Sequence, residues 1–158
     1  MANETGARVS LAQLCDSVGV SPLAGTFRVL ENEYLLRVQD DSGGTSVTGL
    51  HALRSKAVVT ALFRELPEAW EKYVIRVLPL VLDEDIESFL LAVFSRKPEF
   101  SNKIFGCILN LTVRSWTHAA GLSNALIWEG VSRYEFANRE AIKSAIAKYG
   151  ESWKFFCD

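Results

Sequence analysis

The stretch Leu50 to Ser55 reads Leu-His-Ala-Leu-Arg-Ser, and its chemistry-bearing residues are His51, Arg54 and Ser55. A neutral imidazole can donate one hydrogen bond to an oxyanion, a guanidinium adds a charge-assisted one, and a hydroxyl supplies another donor. At spacings i, i+3 and i+4 the three share one face of a helix. They lie where the second strand of an expected β-hairpin runs into an amphipathic helix. A helix N-terminus there contributes unpaired N–H groups and positive dipole charge. The chemistry indicated is recognition of an anion, phosphate above all. The competing reading of His51 is a partly buried cap bonded to nearby backbone.

The elements that must position this junction follow from local signals. Ser10 followed by Gln13 fits a capping box ahead of Leu11, Leu14 and Val18, with the helix ending at Gly19. Ser21 then caps a second helix with Pro22 in its first turn and Leu23, Phe27 and Leu30 as its apolar stripe. Tyr34 to Gln39 has strand character, Asp40-Asp-Ser-Gly-Gly44 is a turn, and Thr45 to Leu50 is a second strand. Leu50, Leu53, Ala57 and Ala61 recur at helical spacing up to Leu66, and Pro67 closes the segment. The expected fold is mainly α: a winged helix with a β-hairpin wing over residues 8–66, then an α-helical hairpin, solenoid-like array over 67–158. Helices are expected at roughly 68–81, 84–96, 99–114, 118–132 and 138–155, with Pro79, Pro98, Gly121 and Asn138 marking breaks, kinks or caps.

Composition narrows the function classes. Of 158 residues, 49% are hydrophobic and 23% charged, which is enough for a proper core. The net charge is −2, and it stays balanced when the chain is divided: six Lys+Arg against seven Asp+Glu up to Leu66, then eleven against twelve. Neither half has the cationic excess of a protein that lives on phosphate backbones. Cys15, Cys107 and Cys157 form no Cys-x-x-Cys pair, and with only two histidines no metal site is expected. Cys15 and Cys107 read as small buried hydrophobes in a reducing compartment. No signal peptide or membrane span is recognisable, so a cytoplasmic location is expected. Asn110-Leu-Thr112 matches a glycosylation acceptor by chance, in a helix that reads as buried.

A strand, Leu-His-x-Leu-Arg-Ser and an apolar helix at the end of a winged helix resemble the winged-helix domain of STAND-class signalling NTPases. That group includes apoptotic ATPases, plant immune receptors and bacterial antiviral receptors. The resemblance spans residues 8–66. It implies that His51, in the place of the family's Met-His-Asp histidine, contacts the β-phosphate of bound ADP and holds the resting state. Arg54 and Ser55 match the Leu-Arg-Ser continuation of bacterial members, whereas Leu50 and Ala52 replace the Met and Asp. The chain has no Gly-x-x-x-x-Gly-Lys-Ser/Thr loop, so it is expected to be neither an enzyme nor a nucleotide binder alone. The resemblance implies a regulatory piece of a longer protein, with antiphage defence as its setting. ADP or ATP with Mg would sit on an upstream NTPase module of that parent protein, which would oligomerise on activation.

Two alternatives stand beside this reading. A winged-helix transcription regulator with a helical dimerisation or ligand domain would use Arg28 and Asn32 on the outer face of the second helix. Glu31, Glu33, Asp40 and Asp41 argue against it, because each would repel the duplex. The other alternative is an adaptor whose helical array binds a protein partner. That array carries no catalytic set: His118 reads as a surface or capping residue, and Asp83-Glu-Asp85 as acids complementing a helix start. Trp70, Tyr73, Phe94, Phe100, Phe105, Trp116, Trp128, Phe136, Trp153, Phe155 and Phe156 read mostly as packing.

Overall fold

The computed structural model describes residues 6–21, 24–33, 35–41, 44–66, 69–96, 102–127 and 143–151. Among them the chain is mainly α, with one three-stranded antiparallel sheet in its N-terminal part. Two compact units divide between Leu82 and Asp83.

The N-terminal unit begins with β1 (Val9–Ser10), followed directly by α1 (Leu11–Val18). Ser10 makes the transition: its extended backbone belongs to the strand, and its hydroxyl accepts the Gln13 N–H at 3.4 Å. Gly19 closes α1 at φ +70°. Its N–H donates to the Asp16 carbonyl at 3.1 Å while Val20 N–H reaches Cys15 at 3.0 Å, the paired pattern that a left-handed glycine permits. Helix α2 (Ala24–Asn32) follows, with Phe27 and Leu30 half-buried; Pro22 and Leu23 of the expected cap and stripe lie outside the described residues.

Strands β2 (Leu36–Asp41) and β3 (Gly44–Gly49) pair from Leu36↔Gly49 to Asp41↔Gly44, so the hairpin is tighter than the five-residue turn expected from sequence. Strand β3 is central, because β1 joins its other side through Val9↔Val47 and Ser10↔Ser46. Ser46 and Val47 are accordingly buried on opposite faces. Glu31 ties α2 to the hairpin by accepting the Val38 N–H at 3.2 Å.

Helix α3 (Ala52–Glu65) leaves the hairpin, and α4 (Ala69–Val77) runs into a 3₁₀ turn, Leu78–Leu80. The boundary expected at Leu66 moves to Leu82 for a physical reason. Trp70, Val74 and Leu78 are buried at i, i+4 and i+8. Val81 then bridges Val9 antiparallel, and Leu82 N–H donates to the Arg8 carbonyl at 2.9 Å. The last residues of this unit are thus bonded to its first strand.

In the C-terminal unit a 3₁₀ turn (Asp83–Asp85) leads into α5 (Ile86–Arg96), followed by α6 (Asn102–Leu109), α7 (Trp116–Ala125) and a helix over residues 143–151, here α8. Its core includes Ile86, Phe89, Leu90, Ile104, Ile108, Leu122, Leu126 and Tyr149, all almost wholly buried. Helix α6 stops short of the expected residue 114. Asn110 ends it, its amide donating to the Gly106 carbonyl at 2.8 Å and competing for the helix's last acceptors. Asn110 is exposed, against the buried setting read for it from sequence. Lys148 Nζ caps the same end through the Leu109 carbonyl at 2.8 Å.

Tyr149 fastens α8 to α6 by donating its hydroxyl proton to the Ile108 carbonyl. Burial, with Cys107 nearby, pushes the phenol up to about 12, so the donor proton is retained at ordinary pH. Ile108 also accepts the Leu111 N–H at 3.2 Å, so its carbonyl keeps one partner when the hydroxyl is removed. Tyr149→Phe is therefore expected to cost about 1 kcal/mol in urea unfolding; an unchanged midpoint would show that the bond adds nothing.

Candidate functional site

The junction singled out from sequence is built by the register of β3 and the start of α3. His51 immediately precedes α3, and its carbonyl accepts the Ser55 N–H at 3.0 Å, so it occupies the N-cap position. The structure leaves His51 and Arg54 exposed at this first turn, where the positive end of a 14-residue helix faces solvent. Ser55 departs from expectation: it is buried rather than on the face shared with the other two.

The reason is that α3 turns a different side inward from the one its apolar spacing predicts. Ser55 and Val59, one turn apart, are buried, while Ala57 and Ala61 are exposed and Leu53 is 72% exposed. Val58 is exposed as well, so this helix carries apolar side chains on its open side beside His51 and Arg54.

A second polar cluster surrounds the start of α7. Ser115 has extended backbone and is the N-cap; its hydroxyl accepts the His118 N–H at 3.1 Å and donates to Asp83 Oδ2 at 2.5 Å. Asp83 Oδ1 meets Arg114 at 2.8 Å. The His118 ring completes the arrangement by accepting the Arg114 N–H at Nδ1, 3.3 Å away. His118 is thus a capping residue, as expected, but not a surface one: it is 1% exposed and its Nε2 has no hydrogen-bond partner among the described residues. Burial foremost, and the Arg114 charge, lower its pKa to about 4 against the opposing pull of Asp83.

This cluster does not assemble a nucleophile. The imidazole is engaged with a backbone N–H rather than with Ser115 Oγ, and the hydroxyl spends its proton on a carboxylate. Its role is to seat α7. Asp83, expected to complement the dipole of the helix that follows it, instead clamps Arg114 and Ser115 across the unit.

Arg28 and Asn32 of the DNA-binding alternative are both exposed on α2. Trp70, Phe94 and Phe105 are buried as expected of packing residues, whereas Tyr73 and Trp116 are exposed; the remaining singled-out aromatics lie outside the described residues. Cys15 is buried and Cys107 half-buried, both as free thiols, with burial raising the pKa of Cys107. Among the described residues no group of three or more His, Cys, Asp or Glu is placed to hold a metal ion, and no helix is long and apolar enough to cross a membrane. No family model, curated protein or solved structure matches the chain.

Proposed function

We propose that this chain is a non-catalytic regulatory segment of a STAND-type signalling NTPase. In this reading the N-terminal unit latches the ADP-bound resting state of a nucleotide-binding module in the same parent protein. The observation that supports it is the junction at α3: His51 and Arg54 stand exposed together on the first turn of a helix whose dipole favours an anion. Exposed Leu53 and Val58 on the same helix supply apolar surface for that module to cover.

The mechanism is differential binding. A latch biases two nucleotide states only if its contacts differ between them, and a contact to the β-phosphate formed in the closed state meets that condition. His51 would donate a hydrogen bond and Arg54 a charge-assisted one; buried Ser55 would support the helix turn from behind. Antiphage defence is the setting the resemblance points to.

The test is ADP release from the parent protein. Losing one charge-assisted contact corresponds to roughly tenfold to hundredfold faster release in Arg54→Ala, with a smaller effect in His51→Ala. Signalling without a trigger should accompany it. Release rates equal to the unsubstituted protein in both variants would sink the latch reading.

A further inference from the structure

A cleft of about 270 Å³ opens between α1, α2 and the hairpin, lined by Leu11, Phe27, Arg28, Glu31, Val38, Asp40 and Thr45. Its chemistry is divided. Leu11, Phe27 and Val38, each half-buried, make an apolar floor from three different elements, and the exposed rim residues Arg28 and Asp40 join half-buried Glu31 and Thr45 as the polar lining.

The rim groups are held in register. Asp40 and Thr45 are cross-strand partners, and Thr45 Oγ1 donates to Asp40 Oδ1 at 2.6 Å. Glu31 Oε1 is committed to the Val38 N–H at 3.2 Å. Among the described residues each carboxylate therefore has one oxygen fixed by the fold and one left for another donor. Arg28 lies one turn before Glu31 on α2, is exposed, and makes no ion pair or hydrogen bond among the described residues. Among the described residues the cleft thus offers an apolar seat, a cation without a partner and two partly used carboxylates.

We propose that this cleft binds a free α-amino acid with an apolar side chain. The side chain occupies the floor, the α-carboxylate pairs with Arg28, and the α-ammonium is held by the open oxygens of Glu31 and Asp40. Size agrees with this: the volume lies just below the roughly 300–1,000 Å³ of pockets for drug-sized ligands. An internal residue of a peptide would fill the floor but carry neither charge, leaving Arg28 unanswered. A nucleotide would set its phosphates against two carboxylates. The proposal is independent of the latch at His51.

The test is an amide-resolved NMR titration of the intact chain with leucine, methionine and phenylalanine, each to about 10 mM, the weak end of specific affinity. Saturable shifts at Leu11, Phe27, Val38 and Thr45 are expected. N-acetylleucine and leucinamide, each lacking one charge, should bind about tenfold more weakly or worse. Arg28→Gln should bind leucine and leucinamide alike, and Asp40→Asn should narrow the preference for leucine over N-acetylleucine, with Glu31 retaining part of it. Both positions are exposed, so these variants test recognition rather than folding. Absence of saturable shifts with all three amino acids overturns the proposal. So does equal binding of N-acetylleucinamide and leucine, which would assign the cleft to a peptide side chain.

Discussion

His118→Asn is expected to remove most of the acid sensitivity of the C-terminal unit. The imidazole is held neutral with a pKa near 4, against an ordinary value of 6.5 in the unfolded chain. Between those values the unfolded state binds the proton that the folded state refuses. The stability it contributes is fully present above pH 6.5 and is lost as pH falls toward 4, by on the order of 3 kcal/mol across the window. The geometry gives the same sign. Protonation at Nδ1 would turn the acceptor of the Arg114 N–H into a second donor and place a charge beside the Arg114 guanidinium. Asparagine keeps an acceptor near the place of Nδ1 but does not titrate in this range. Wild type and variant should therefore differ most at pH 7, where asparagine leaves part of the ring's volume empty, and converge as pH approaches 4. Urea midpoints taken every half unit give the slopes; parallel slopes for the two proteins would refute the assignment.

Gly121→Val should be among the most damaging single substitutions in the chain. Gly121 sits inside α7 against the start of α5, and a Cβ there would lie 2.5 Å from Ile86 Cγ2 and 3.3 Å from the Glu87 N. Ile86 is wholly buried and branched at Cβ, so its methyl has little room to move aside. Alanine gains up to about 1 kcal/mol of helix propensity over glycine, which partly offsets the overlap; valine gains less and adds two methyl groups. A loss of about 3 kcal/mol is expected for Gly121→Val, seen as a lower urea midpoint for this unit. Because Ile86 Cγ2 makes the closest approach, Gly121→Ala should cost much less in an Ile86→Ala background than alone. Strictly additive costs would show that the two positions do not collide.

Local signals in the sequence are those that one element satisfies by itself. Ser10, Gly19 and the Asp-Ser-Gly-Gly run could be read because capping and turn chemistry involve neighbours a few residues apart. Strand β1 could not: two residues carry no periodicity, and their partners Ser46 and Val47 arrive only after two helices and a hairpin strand. The inward face of α3 is hidden in the sequence because Leu53, Ala57 and Ala61 make the more regular apolar spacing, while packing buries Ser55 and Val59. Gly121 reads from sequence as a break, kink or cap because glycine disfavours helices, yet here it lies inside α7 and permits close approach of another helix. At the candidate site, His51 and Arg54 were identifiable from a junction of adjacent elements. The burial of His118 and the cleft beneath Arg28 depend on residues brought together by tertiary packing, which spacing along the chain does not encode.

The bond between Leu82 and Arg8, with Val81 against Val9, bears on synthesis of the chain. A nascent polypeptide leaving the ribosome exposes the outer side of its first strand throughout the emergence of both helices, the hairpin, α3 and α4. Open strand sides recruit other chains, and contacts between distant residues form late. The N-terminal unit therefore cannot finish folding as a growing series of local pieces: its closing segment is the last of it to be made, and completion waits for residue 82 to clear the exit tunnel.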